Sequence, residues 1–422
     1  MKEKGFALPF VLVIFTLVVV GIGTVVYFQF KPKSPLQPQF TQSTKRIPSS
    51  DIVQFGHKLS FLRGGEVWLF DQGKEVQLTN TKGKIKEFKW APDGKTLFYI
   101  RTKQIKLNEN DQGLWGSPTI DIGNDIVKFD VDSKTESTLV TNSLPDEKLS
   151  EFICPAGCGV FINETRGLEI SDNARYVYYI RNSIFRTDLS TRQTIGLPIK
   201  PPARESNEFF SSILVSPQQR WLIVGTRGHE FKKNQIVNLK SNKNIELGYE
   251  ARLGSEEPLK IPLDFLSEDE LLIAEKNYIP GKESSIKIKN LMNDNLNKTV
   301  NRSDNGIFYN EFCGESEAIY SLYRPNTNNF QGLSVISVPL IGPATRKELL
   351  NLEAFSKYLN NLGEAVYLYE FNLTPDCKAF TVIVGENSYN SKGKIWVFNF
   401  DGSQQENLGI EGVSELPQWV PQ

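Results

Sequence analysis

Phe88-Lys89-Trp90-Ala91-Pro92-Asp93-Gly94-Lys95-Thr96-Leu97-Phe98-Tyr99-Ile100 is the stretch that decides the fold. Pro92 presets φ, the Asp93 side chain bonds back to the backbone, and Gly94 accepts a positive φ, so the centre is a tight turn. The aromatic and aliphatic flanks read as two strands joined by it. The same turn, followed by an apolar strand, returns at Ile170-Ser171-Asp172-Asn173, at Val215-Ser216-Pro217-Gln218 and at Leu373-Thr374-Pro375-Asp376. Fainter copies lie at Leu266-Ser267-Glu268-Asp269, Cys313-Gly314-Glu315 and Trp419-Val420-Pro421-Gln422.

A second pattern alternates with the first, an apolar strand often closed by Asp or Asn. Its clearest copies are Glu66-Val67-Trp68-Leu69-Phe70-Asp71, Asp125-Ile126-Val127-Lys128-Phe129-Asp130, Ser183-Ile184-Phe185-Arg186-Thr187-Asp188 and Lys394-Ile395-Trp396-Val397-Phe398-Asn399. Both patterns occur about seven times at spacings near the 40–50 residues of a propeller blade. They predict an all-β chain, a β-propeller of about seven four-stranded blades. The long gap before Ser171 is read as loop insertions at Leu114 to Asp121 and Pro145 to Gly167, with a degenerate extra blade as the alternative.

The final copy stops at Gln422, where its second strand should begin. That strand is found at the other end of the domain. Gly56-His57-Lys58-Leu59-Ser60-Phe61-Leu62-Arg63 aligns without gaps on Gly94-Lys95-Thr96-Leu97-Phe98-Tyr99-Ile100-Arg101. The two chain ends should therefore form one blade, closing the ring and removing free sheet edges.

Trp90-Ala91-Pro92-Asp93-Gly94-Lys95, together with Lys394 to Gly402 and Leu416 to Pro421, resembles the repeat of the TolB-like, WD40-like (PD40) propeller family. The resemblance covers roughly Asp51 to Gln422 and implies four-stranded blades around a central channel. It also implies that the strand ending in the Trp-turn is innermost, so that Leu416 to Trp419 completes the blade begun by Gly56 to Phe70. Trp90, Pro92, Asp93, Gly94, Pro375, Asp376, Trp419 and Pro421 carry the turn motif.

Ahead of the repeats, Phe6 to Phe30 contains no charged residue. As a helix it spans about 37 Å, enough to cross a hydrocarbon core. It lacks the A-x-A-like site of a cleaved signal, so it reads as a retained transmembrane anchor with residues 1–5 as a cytoplasmic head. Lys4-Gly5-Phe6 also resembles the leader of type IV prepilins, although that family carries Glu where this chain has Phe10. Residues 31–50 hold Pro32, Pro35, Pro38 and Pro48 among Gln, Ser and Thr, an extended spacer before the domain at 51–422.

Among 422 residues, 48 basic and 49 acidic side chains leave a net charge of −1, so no global field attracts nucleic acid. Two histidines, His57 and His229, remove the commonest general base and metal ligand from most of the chain. Both read as structural or solvated. No nucleophile motif, cofactor motif or metal-ligand spacing is present, so no catalytic, cofactor or metal residue is assigned. Cys154 and Cys158 are spaced for a small hairpin disulfide; Cys313 and Cys377 fall in or beside the turns of adjacent repeats and read as buried free thiols, with a pairing across one rim as the alternative. Asp130 with Asp132, and Glu268 with Asp269 and Glu270, are acidic groups that could act as glycosidase-type carboxylates and also suit turns on a solvated rim. Arg63, Arg101 and Arg181 occupy matching strand ends and are candidates for a rim that meets anionic partners.

The expectation is a membrane-anchored, extracytoplasmic propeller of bacterial type that binds an envelope protein or glycan without catalysis. The alternatives are a propeller hydrolase or lyase using channel-mouth carboxylates, and a pilus-associated component.

Overall fold

A computed structural model describes residues 57–421 apart from 107–118, 142–164, 203–207, 229–230, 253–257, 278–282, 294, 296, 305–306, 315–316, 324–329, 342–346, 364–365, 386–392, 402–404, 409 and 411–412. The anchor at Phe6 to Phe30, the proline spacer, the prepilin-like leader, Cys154, Cys158 and His229 lie outside the described residues. Among the described residues, no helix is long and apolar enough to cross a membrane.

Seven four-stranded antiparallel sheets make up the domain. Blade 1 is β4 (Ile85–Trp90), β5 (Thr96–Lys106), β6 (Thr119–Asp130) and β7 (Thr135–Val140). Blade 2 is β8 (Arg166–Ile170), β9 (Tyr176–Ile180), β10 (Ile184–Asp188) and β11 (Thr194–Gly196). Blade 3 runs through β12 (Phe209–Val215), β13 (Trp221–Arg227), β14 (Phe231–Asn238) and β15 (Asn244–Arg252). Blade 4 holds β16 (Leu259–Ser267), β17 (Glu270–Lys276), β18 (Glu283–Asn290) and β19 (Lys298–Asp304). Blade 5 holds β20 (Ile307–Cys313), β21 (Ala318–Tyr323), β22 (Ser334–Pro339) and β23 (Lys347–Asn351). Blade 6 holds β24 (Tyr367–Leu373), β25 (Ala379–Gly385), β26 (Lys394–Asn399) and β27 (Gln405–Asn407).

Blade 7 joins the two chain ends. β28 (Val413–Trp419) pairs with β1 (Leu59–Arg63), followed by β2 (Glu66–Asp71) and β3 (Lys74–Gln77). Leu59 stands opposite Trp419 and Ser60 opposite Gln418. The ring is closed as the gapless alignment requires. The first strands of neighbouring blades pack on one another, β4 on β8, β8 on β12, β20 on β24 and β24 on β28, which makes them the wall of the central channel.

Each blade buries both faces, and the parity of its residues shows how. In β1, Leu59 and Phe61 pack with Ile383 and Ile395 of blade 6, whereas Leu62 packs with Ile85, Phe88 and Trp90 of blade 1. In β5, Leu97 and Tyr99 face blade 7 while Phe98 and Ile100 face blade 2. A strand buried on both sides must be apolar at consecutive positions, which is why Leu97-Phe98-Tyr99-Ile100 shows no polar alternation.

The structure corrects four sequence expectations. The gap before Ser171 holds no extra blade among the described residues, because β5 and β6 are extended and pair from Thr96–Asp130 to Lys106–Thr119. Thr119, Ile120 and Asp121 are therefore strand rather than loop. The second insertion ends earlier than Gly167: Thr165 is buried, its amide donates to the Gly123 carbonyl, and β8 begins at Arg166. Cys313 and Cys377 are not free thiols but a disulfide, with Cα atoms 6.2 Å apart, linking the end of β20 to the first turn of blade 6. Finally, α1 (Glu353–Asn361) lies between blades 5 and 6, where no helix was expected. Its Phe355 packs at 5.0 Å from Phe398 and 5.3 Å from Trp396, ring centre to ring centre.

Candidate functional site

The turn motif residues hold the blades together. Asp93 accepts from the Lys95 and Thr96 amides and from the Thr96 hydroxyl. Asp376 accepts from Thr374 Oγ1 and the Lys378 amide, and its Oδ1 lies 3.2 Å from His57 Nε2. His57 thus clips the start of the domain to blade 6, with its ring edge-on to Trp419. Burial would raise the Asp376 pKa, but the Thr374 and His57 donors bring it below the ordinary carboxylate value. The residue at the Gly94 position has positive φ in four other blades, at Ala174, Gln219, Glu317 and Cys377.

Blade 4 departs from this rule. A two-residue connection, Glu268-Asp269, replaces the longer turn, and both carboxylates reach back to blade 3. Glu268 accepts from Ser216 Oγ, the Gln218 amide and the Arg220 amide. Asp269 accepts from Arg220 and from the Trp221 indole. The acidic run at Glu268 and Asp269 is an inter-blade staple, while Asp130 caps its own turn through Ser133.

The candidate rim arginines sit at the second strands of blades 7, 1 and 2, on the face opposite the Pro-Asp-Gly turns. Arg63 pairs with Glu75 at 2.5 Å and lies over the Trp68 ring; Arg101 pairs with Asp125 at 2.9 Å. Both partners belong to the arginine's own blade, so these two side chains brace their sheets. Arg181 follows β9, and its amide donates to the Ser183 carbonyl.

A polar site that the sequence reading passed over lies in the channel. Every first strand shifts register against its second strand, for example between Ile85 and Glu87, Arg166 and Glu169, Phe210 and Ser212, and Pro262 and Asp264. A bulge re-aims side chains and frees backbone amides. In blade 2 the bulge residue Gly167 has φ +61°, and the amides of Gly167 and Leu168 both donate to Glu87, at 2.9 and 2.6 Å. Lys89 reaches Glu169 at 3.1 Å. Blade 1 is thereby tied to blade 2 by an anion in an amide nest and by an ion pair.

A cavity of about 370 Å³ opens beside these bonds, lined by Lys86, Glu87, Lys89, Arg166, Ser211, Ser212 and Gln418 among others. Burial raises the Glu87 pKa despite the two amides. Glu169 raises that of Lys89. Further round the ring, Asp264 is exposed at its surface yet closely surrounded by protein atoms. Its pKa is pushed up to about 6 by burial, opposed by the Phe265 amide and reinforced by Glu169 and Asp172. Among the described residues, no group of three His, Cys, Asp or Glu is disposed to hold a metal ion. The sequence signal for this site was the polar alternation Glu87-Phe88-Lys89-Trp90, in which the strand before each turn presents alternate side chains to the lumen.

No family model matches the chain, and no curated relative does. Solved structures do. The tricorn protease is similar over 86% of this chain and 34% of its own, at 12% identity and TM-score 0.50. TolB from Acinetobacter baumannii is similar over 85% of this chain and 79% of its own, at 11% identity and TM-score 0.41. An oligogalacturonate lyase in complex with manganese is similar over 82% of each chain, at 11% identity and TM-score 0.48. At these identities the likeness concerns the propeller fold.

Proposed function

We propose that this chain is a membrane-anchored, extracytoplasmic β-propeller that binds an envelope protein or glycan without catalysis. The observation that carries the reading is the use made of the charges at the blade boundaries. Glu87 is held by two amides of the next blade, Lys89 by Glu169, and Glu268 by three donors across a blade boundary. Groups spent in this way keep the wheel rigid, and rigid scaffolds present binding loops. The Cys313–Cys377 disulfide suits an oxidising compartment outside the cytoplasm, and the apolar Phe6 to Phe30 stretch supplies the tether.

Crosslinking in native membranes tests the reading, comparing the full chain with a variant lacking residues 145–162. A partner captured by the first and lost from a folded second places the contact on that insertion. Equal capture by both removes the insertion from the contact.

A hydrolase or lyase reading has one observation in its favour, the raised pKa of Asp264 close to Glu169 and Asp172. It requires that Asp264→Asn abolish turnover of a glycan substrate while leaving partner capture intact.

A further inference from the structure

The cavity beside β4, β8 and β12 contains a cation with no ion-pair partner among the described residues. Arg166 Nε is buried without a hydrogen-bond partner, and the guanidinium lies 4.3 Å over the Phe209 ring. Among the described residues, no carboxylate stands within ion-pair distance of it. Glu87, the acid that acts on it, already accepts from Gly167 and Leu168. Burial draws the Arg166 pKa down to about 10, so the side chain keeps its charge at neutral pH. On the same wall Ser211 Oγ is also buried without a partner. Of the charged lining residues, Lys86, Lys89 and Arg166 outnumber Glu87 and Glu169 by one. An unpaired charge drawn partly out of water is costly, and an arginine fork is matched in geometry by a planar carboxylate.

We propose that this cavity is a binding site for a small carboxylate, held by Arg166 with Ser211 as a hydroxyl donor, independently of any contact made by the rim. A volume of about 370 Å³ is at the small end for ligand sites, which suits a molecule the size of an amino acid or sugar acid. The carboxylate could come from a peptide-like or a sugar-like source, and the probes must separate these.

The full chain is titrated calorimetrically with N-acetylglycine, glucuronate, the neutral isostere N-acetylglycinamide, and inorganic phosphate. The expected result is binding of one or both carboxylates at least tenfold tighter than the amide and phosphate. N-acetylglycine alone identifies a peptide-like ligand, and glucuronate alone a sugar acid. Arg166→Met should abolish that binding, and Arg166→Lys should retain part of it. Without ligand, Arg166→Met should melt at or above the native temperature, because it removes an uncompensated charge; a Tm several degrees lower would mark a structural arginine and overturn the proposal. No carboxylate binding, binding unchanged in Arg166→Met, or equal binding of the amide would also overturn it. Should Arg166→Met fail to fold, phenylglyoxal labelling of the native chain gives the same answer. Carboxylate must slow modification of the Arg166 peptide severalfold, and unchanged labelling refutes the site.

Discussion

The indole of Trp90 donates to Ser60 Oγ at 2.7 Å, and the same hydroxyl donates to the Gln418 carbonyl at 2.8 Å. Gln418 in turn donates through Nε2 to the Phe88 carbonyl at 2.8 Å. Three strands from distant parts of the chain, β1, β4 and β28, meet at one serine. Ser60→Ala strands a buried indole N–H and should cost about 1–3 kcal/mol. Urea unfolding measures the loss, and the Ser60→Ala/Trp90→Phe pair should lose less than the sum of the single variants.

The disulfide closes a loop of 64 residues between blades 5 and 6. Chain entropy gives such a crosslink about 4 kcal/mol. The Cys313→Ala/Cys377→Ala variant should melt well below the native chain, and reductant should lower the native Tm towards it. Peptide mapping under non-reducing conditions should show Cys313 joined to Cys377.

Ala174 holds in blade 2 the position that Gly94 holds in blade 1, at φ +51°. Left-handed backbone costs a non-glycine residue about 1–2 kcal/mol, partly offset by the entropy glycine loses on folding. Ala174→Gly should therefore stabilise by up to about 1 kcal/mol. Gly94→Ala should do the opposite, since its new methyl would press on the Pro421 carbonyl oxygen that seals the ring. Thermal unfolding of the two variants should move in opposite directions.

Asp264 gives the wheel a pH dependence of definite sign. Its folded pKa, about 6, stands above the ordinary aspartate value of 3.8. Between those values the folded chain holds a proton that the unfolded chain has released, so this contribution to stability falls as pH rises from about 4 to about 6. Asp264→Asn removes that slope. Relative to the native chain, the variant should gain stability between pH 4 and pH 7 in parallel denaturation series.

Glu66 contributes with the opposite sign. Burial would raise its pKa, yet the donors from Thr81, Gly83 and Thr79 hold it below the usual value. Its share of stability is present above about pH 4.5 and is lost as pH falls through the lower folded value. Glu66→Gln should cost about 1–3 kcal/mol at pH 7 and a smaller amount at pH 3, read by the same unfolding series.

The closed wheel was legible because its causes are local and repeated. Pro92-Asp93-Gly94 dictates a turn by backbone chemistry, and the match of Leu59–Arg63 to Leu97–Arg101 gives away the shared blade. The channel was legible only as a polar alternation in the strand before the turn, because the bulge that aims its side chains leaves no residue signature. Glu87 looks like any solvated strand residue until the Gly167 kink turns two amides towards it. Cys313 and Cys377 are 64 residues apart; their places in the turns of adjacent repeats left a pairing open, and only the stacking of consecutive blades decides it. α1 escaped notice because its inward face, Phe355 and Leu359, is short and blends with strand-like aromatic sequence.

The pairing of β1 with β28 sets an order for biosynthesis. Six blades are each drawn from one continuous segment and can assemble as the polypeptide emerges. The seventh must wait, since Ser60 and Gln418 are separated by 358 positions. Until the ribosome has delivered the last strand, β1 presents an unpaired edge, and such edges invite aggregation or capture by a chaperone. Loss of residues 413–422 alone would leave that edge permanently bare, so their removal should be far more damaging than their number suggests.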